Sequence, residues 1–297
     1  MSNVFEVSEV FMSLEGESKY TFHPTVYARL AICNFKCPKF NNPDNQVAAN
    51  GYAPLTFNPS DYSNIKDMPF ISAGCDSQYS VSPEFRHTWA KMTGSEIAAE
   101  LVIKLPHQSW VHPKTNLPVI FSITGGEPTM QWKWLHEIFR DPAMSGCQHI
   151  LLETNCAVPF KESFTQQIDE WLSEDDSRRW TWSNSPKLSI SGESWNKAIK
   201  PQIAMNQLNV RNISQVDQYF KFVVTNKRES FDEVMRAMGE YWAAGIPLDA
   251  QIWAMPMACT GEQQNEVARE VAELCLEYGF LYSHRIQNVL WDNIVGT

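Results

Sequence analysis

The sequence has no long apolar run, no dense basic cluster and no even-numbered cysteine framework, and each absence removes a class of protein. No stretch approaches the ~20 apolar residues that cross a bilayer, so no membrane role is expected. The opening MSNVFEVSEV has neither the basic start nor the apolar centre of a secretory signal. Lys and Arg number 24 against 34 Asp and Glu, a formal net charge of −10. Without clustered cations a nucleic-acid partner is not expected either, and a small-molecule substrate fits better. Seven scattered cysteines, an odd number, do not make a secreted disulfide framework, which points to a reducing, cytoplasmic setting. What is present is the material of a folded core: 297 residues, 43% hydrophobic and 12% aromatic, enough for one large domain.

Along the chain, strand-like and helix-like runs alternate. VFEVSEVF alternates apolar and polar residues, and TVYARLAI reads as a buried strand. LPVIFSIT, HILLET, WTWSNS, YFKFVVT, AQIWAMP and FLYSHRI continue the strand series. Between them the spacing predicts helices over 95–104, 132–140, 162–172, 231–244 and 263–278, the last with Val267, Val271, Leu274, Cys275 and Tyr278 on one face. Buried strands alternating with amphipathic helices predict an α/β fold with a mostly parallel sheet. Residues 38–74 break the rhythm. Pro38, Pro43, Pro54, Pro59 and Pro69 with many Asn exclude a continuous helix or central strand, so the segment reads as a long loop insertion in a single domain spanning 1–297.

The chemistry gathers at the edges of that insertion. Cys33 and Cys37 follow the strand TVYARLAI, and Cys75 opens the sequence CDSQYS after the insertion. Cys-x3-Cys is a tight bend that can bring two thiolates to one metal group, and a third can come from any distance if the fold returns it. Three thiolates on an iron–sulfur cube leave one iron without a protein ligand, whereas electron-transfer clusters commonly use four. A buried apolar cysteine set and a zinc site are the competing readings. The second motif is SITGGEP, 122–128, directly after an apolar strand. Two glycines allow close approach to the backbone and Glu127 offers an acceptor for an ammonium group; a plain turn into a helix with Pro128 in its first turn is the alternative.

Together these motifs resemble the radical S-adenosylmethionine enzymes and, within them, the 7-carboxy-7-deazaguanine synthases of the pathway to queuosine. The resemblance runs in order through SLEGES (13–18), ARLAICN (28–34), CDSQYS (75–80), LLETNC (151–156), SPKLS (185–189), FKFVV (220–224) and RIQNVLWDN (285–293). It implies an incomplete (βα) barrel of the radical SAM type, with the site at the C-terminal ends of the strands. It also implies that Cys33, Cys37 and Cys75 hold a 4Fe–4S cluster and that S-adenosylmethionine chelates the open iron. Gly125, Gly126, Glu127, Glu153, Asn155, Ser185 and Lys187 would line the cofactor site. A 5′-deoxyadenosyl radical would then take hydrogen from 6-carboxy-5,6,7,8-tetrahydropterin, and ring contraction with loss of ammonia would give 7-carboxy-7-deazaguanine.

Further roles follow from the same resemblance. Ser77 would ligate Mg²⁺, whose remaining positions suit water and substrate oxygens; as a bare residue it could equally be a turn former. Arg29 would clamp the substrate carboxylate, since a guanidinium matches it in a bidentate fashion. Glu15, Gly16, Glu17, Thr124 and Gln287 would face the pterin, with Arg285 nearby. An electron donor such as flavodoxin and a homodimeric state are also implied. The chain departs from the family pattern at Phe40, where a third cysteine is usual, at Glu15 in place of Gln, and at Ser18 and His23 in place of glycines. Phe40 keeps open a non-catalytic descendant that binds a pterin or a protein and has lost its cluster; an activase that installs a glycyl radical on a partner protein is the other alternative, against which RIQNVLWDN and SPKLS speak.

Overall fold

The computed structural model describes residues 3–291 and 294–296, so the last two residues of RIQNVLWDN lie outside the described residues. Nine strands form one sheet: β1 (Phe5–Leu14), β2 (Pro24–Leu30), β3 (Ala90–Met92), β4 (Ile120–Gly125), β5 (His149–Thr154), β6 (Arg179–Asn184), β7 (Val216–Val224), β8 (Ile252–Pro256) and β9 (Leu281–Tyr282), in the spatial order β3-β1-β2-β4-β5-β6-β7-β8-β9. From β2 onward the neighbours run parallel, while β1 is antiparallel to both β2 and β3. The sheet does not close on itself, and the expected incomplete barrel is what the chain forms.

Strand alternation sets the two faces. On β7, Phe220, Phe222 and Val224 point outward and pack under the helices Arg228–Ala243 and Gly261–Tyr278, with Tyr241 and Val271. On β4 and β5, Phe121, Ile123, Ile150 and Leu152 do the same beneath the helices Gly94–Lys104 and Glu162–Ser173, joined by Trp171, Trp180 and Trp182. The intervening residues turn inward and are largely polar: Ser122, Thr124, Glu153, Ser183 and Lys221 are buried or partly buried without joining either core. Helix starts follow local chemistry. Thr93 with Glu96 and Thr260 with Gln263 form reciprocal caps at the first and last long helices, and Gly279, at φ 74°, ends the latter in the left-handed region.

Two expectations need correction. The stretch 132–140 is not one helix: a 3-10 turn at Pro128–Gln131 is followed by a single α-turn at His136–Phe139. Its backbone bonds run mostly from residue i to i+3, as from Trp134 N–H to Gln131 and Ile138 N–H to Leu135, a tighter winding that apolar spacing alone does not distinguish. The last strand is also shorter, Leu281–Tyr282, because the chain leaves the sheet to pack across the cavity described below.

The first loop closes the bottom of the barrel. Glu15 and His23 meet through backbone bonds of 2.7 Å (Glu15 N–H to His23) and 2.8 Å (Phe22 N–H to Glu15). Tyr20 projects down among the strand beginnings, where its hydroxyl meets Thr181 at 3.2 Å and donates to Asp217 at 3.1 Å. Ile120, Leu151 and Tyr219 pack above it as a small inner plug.

Candidate active site

A cavity of about 690 Å³ opens at the C-terminal ends of the parallel strands and reaches down to the first loop. Its upper wall carries Cys33, Cys37 and Cys75. The bend that presents them is strained: Ile32, a β-branched residue, sits at φ 78° and Cys37 at φ 45°. Hydrogen bonds hold that geometry. Ile32 N–H donates to Ser80 at 2.9 Å, and Glu127 N–H to Ile32 at 2.8 Å. The Glu193 carboxylate accepts from both Lys36 N–H (2.8 Å) and Cys37 N–H (3.0 Å), a contact across 156 residues or more that no local motif signals.

The insertion returns its cysteine to the start. Gly74 N–H donates to the Phe40 carbonyl at 2.7 Å, so the two ends of the excursion are pinned together. Cys75 therefore packs with Phe40, Cys37 and Phe35 in one cluster, beside the position where the family pattern places its third cysteine. The body of the insertion is anchored elsewhere too. Tyr52 donates to the Val81 carbonyl at 3.1 Å, and Asn41 and Ser72 hold Cys259 from the two arms, at 2.6 and 3.2 Å. Phe57, Ile65, Met68 and Phe70 from the same segment line the cavity.

The donor set can be tested against the group the resemblance implies. Burial pushes the Cys33 and Cys75 thiols up to about 12 and Cys37 upward as well, and neighbouring negative groups, the thiolates included, add to it. Such thiols stay protonated until a cation joins them, and metal binding reverses that preference. Among the described residues no three His, Cys, Asp or Glu side chains converge as they would on a single ion. Cys33, Cys37 and Cys75 nevertheless share one wall and one side-chain cluster, and thiolates are the donors an iron–sulfur group takes.

The strand ends beside the cysteines are tightly built. Gly125 (φ 130°) and Gly126 line the cavity, but their lack of a side chain is required by the chain itself: a Cβ would lie 1.9 Å from the Leu30 carbonyl oxygen and 2.1 Å from that of Ile32, respectively. Glu127 departs from its expected place. It is fully buried and turned away from the cavity. Oε1 accepts from Thr129 N–H (3.0 Å), Thr129 Oγ1 (2.5 Å) and Thr154 Oγ1 (2.7 Å), and Oε2 accepts from Asn155 N–H (2.6 Å). Four donors meet this one carboxylate, so Glu127 braces the end of β5 from outside the cavity lining. Asn155, held by it, donates to Asn34 at 2.7 Å and approaches the Cys33 sulfur at 3.8 Å. Glu153, Ser185 and Lys187 also line the cavity; Lys187 donates to the Ser185 carbonyl and hydroxyl at 2.7 and 3.0 Å, and Ser122 to Glu153 at 3.1 Å.

The lower part of the cavity is a charged network. Glu17 is ion-paired with Lys221 and accepts from Arg285 Nε at 3.2 Å and Gln287 Nε2 at 3.1 Å. Burial alone would raise the Glu17 pKa, but Lys221 and Arg285 outweigh it and hold it at about 2. Arg285 also reaches Asp76 at 2.7 Å, tying the residue after Cys75 to the first loop. Ser77 lines the same wall and donates to Asp76 at 3.3 Å. Gly16 is needed where the C-terminal segment crosses, since a Cβ there would lie 1.9 Å from Gln287 Oε1. Thr124 lines the wall opposite Arg29 in register. Arg29 faces the cavity with its Nε paired to Glu9 at 2.7 Å and its guanidinium over Phe11 and Tyr79, an orienting partner the sequence did not announce. Lys221 was also missed as a site residue. Its signal was there: a lone charge inside the apolar strand YFKFVVT, on the face opposite Phe220 and Phe222.

An incomplete barrel with three cysteines and a Gly-Gly strand end around one cavity fits the fold and site that the motifs led us to expect. No family model matches the chain. It is 26% identical to the 7-carboxy-7-deazaguanine synthase of Pyrobaculum aerophilum, over 98% of this chain and 96% of that protein. It is 22% identical to that of Halobacterium salinarum, over 97% and 90%. The crystal structure of QueE from Escherichia coli shares the fold, with a TM-score of 0.51 at 15% identity over 95% of this chain and 93% of that one. The resemblance carried by the motifs thus extends over nearly the whole sequence.

Proposed function

We propose that this chain is a radical S-adenosylmethionine enzyme that converts 6-carboxy-5,6,7,8-tetrahydropterin to 7-carboxy-7-deazaguanine with loss of ammonia. The observation that carries the reading is the return of Cys75 to Cys33 and Cys37 across the pinned insertion, on a cavity whose floor is lined by Glu17 and Lys221. Similarity to the synthases along both chains supports it. Cys33, Cys37 and Cys75 would hold a 4Fe–4S cluster, which when bound supplies the open iron that chelates S-adenosylmethionine and the electron that cleaves it.

The remaining roles belong to the chain's own groups. Gly125 and Gly126 give the cofactor a flat backbone wall, with Asn155, Glu153, Ser185 and Lys187 supplying polar contacts. Glu127 acts indirectly, by fixing Asn155. At the floor Glu17, kept ionised by Lys221 and Arg285, accepts from pterin N–H groups, while Arg29, steadied by Glu9, takes the substrate carboxylate. Thr124, Gly16 and Gln287 shape the pterin slot. Ser77, beside Asp76, would hold Mg²⁺ together with substrate oxygens. The insertion, with Phe57, Ile65, Met68 and Phe70 against the cavity, excludes water from the radical chemistry. An electron donor such as flavodoxin, a homodimeric working form and a cytoplasmic setting complete the reading. Anaerobically reconstituted protein, given S-adenosylmethionine, reductant and Mg²⁺, is expected to turn the tetrahydropterin into 7-carboxy-7-deazaguanine by mass spectrometry. Cofactor cleavage without that product would move the assignment to another substrate.

A further inference from the structure

The floor of the cavity holds more acid than base. Glu15, Glu17 and Glu153 line it together with Lys221 and Arg285. Glu17 takes both cations, and Arg285 is shared with Asp76. Glu15 takes neither. Its two oxygens meet neutral donors, Tyr27 Oη at 3.0 Å on Oε2 and Glu17 N–H at 3.3 Å on Oε1, and the residue is only 4% exposed. The titratable groups facing it are Tyr27 from β2, Glu153 from β5, Tyr219 and Lys221 from β7, and Glu17 from its own loop.

That setting disfavours a charge on Glu15. Burial raises its pKa most, Glu153 and Glu17 add to the rise, and Lys221 with the Tyr27 hydrogen bond offsets only part, leaving it at about 8. Tyr27 does not need Glu15 as an acceptor, since its hydroxyl also reaches the Leu14 carbonyl at 3.3 Å. Glu17, two residues away, has both cations and the Gln287 amide, so the floor sets an acid that favours its charge beside one that disfavours it.

We propose that Glu15 keeps its proton in the working enzyme and reads the ligand as a neutral carboxylic acid, placing one O–H donor beside one carbonyl acceptor against a lactam edge. The inference rests on the pterin reading above. A pterin carries a ring carbonyl next to a ring N–H, and a carboxylic acid meets that pair with two parallel hydrogen bonds. A carboxylate offers acceptors alone and repels the carbonyl. Glu15 is thereby a specificity-determining residue: it favours rings with the lactam over analogues in which the carbonyl is an amino group.

The test compares reconstituted wild-type holoenzyme with Glu15→Gln, each with S-adenosylmethionine and Mg²⁺, titrated anaerobically with 6-carboxypterin by calorimetry between pH 6 and 9.5. The ratio of the two association constants cancels any titration of the ligand itself. It is expected to stay flat below pH 7 and to fall by about tenfold per pH unit once Glu15 ionises, above about pH 8. A ratio flat across the whole range, with binding intact, overturns this inference alone. Absence of pterin binding to either protein overturns the functional reading and this inference with it. Ligand-free infrared difference spectra of the same two proteins at pH 7 are expected to show the carbonyl stretch of a protonated carboxylic acid in the wild type; its absence also overturns the proposal.

Discussion

Replacing Lys221 with Met removes the cation that holds Glu17, and the structure fixes the size of the effect. Glu17 lies at about 2 instead of an ordinary 4.5, a gap equivalent to about 3 kcal/mol at 1.36 kcal/mol per pH unit. Its side chain is 15% exposed and that of Lys221 7%, so solvent screens little of this. Breaking a buried pair from one side costs ~3–5 kcal/mol, and Arg285 and Gln287 remain to recover part of it. Lys221→Met is therefore expected to lower Tm by roughly 5–10 °C at pH 7. Glu17→Gln combined with Lys221→Met is expected to recover much of that loss, because no charge is left stranded. The pH profile adds an independent sign. Because the folded Glu17 value lies below the unfolded one, its stabilisation is complete above about pH 4.5 and is lost as pH falls toward 2. Lys221→Met should flatten that acid-side decline in melts followed by circular dichroism. A variant melting within 1 or 2 °C of wild type, or a double variant that merely adds two losses, refutes the argument.

The other expectations concern the cysteine wall and its supports. Cys75→Ala is expected to lose its iron after anaerobic reconstitution while Cys259→Ala, on the same cavity, keeps it; iron analysis separates them. Because Phe40 and Cys75 pack together behind the Gly74–Phe40 bond, Phe40→Cys is expected to restore iron binding to the Cys75→Ala protein. Glu127→Gln places an amide donor among four donors and is expected to cost about 1–3 kcal/mol, read as a lower Tm. Folded holoenzyme should resist limited trypsin digestion within 38–74, although Lys66 is exposed there; ready cleavage throughout the segment would contradict an anchored insertion.

The parts of the site that sequence made legible were those whose signal is local. A Cys-x3-Cys bend after an apolar strand and a Gly-Gly pair ending another can be recognised within ten residues, and both lie on the cavity. The parallel sheet was legible because β4 and β6 are each buried on all but one residue. What escaped depends on partners far away in the chain. Lys221 meets Glu17 across 204 residues, and Arg285 meets Asp76 across 209. Glu127 looked like a ligand because its motif is local, yet its donors Thr154 and Asn155 come from the next strand and turn it inward. The two glycines before it serve first to let β4 lie against the Leu30–Ile32 backbone. The stretch 132–140 was over-read as helix because apolar spacing is similar for α and 3-10 winding over so short a run.

The central claim is that a cysteine set interrupted by residues 38–74 still assembles one working site. The most direct measurement is mass-spectrometric turnover of 6-carboxy-5,6,7,8-tetrahydropterin by the anaerobically reconstituted protein with S-adenosylmethionine, reductant and Mg²⁺, beside the Cys75→Ala variant. The account predicts 7-carboxy-7-deazaguanine from the first and none from the second. Product from both, or from neither despite a fully loaded wild-type cluster, would contradict it.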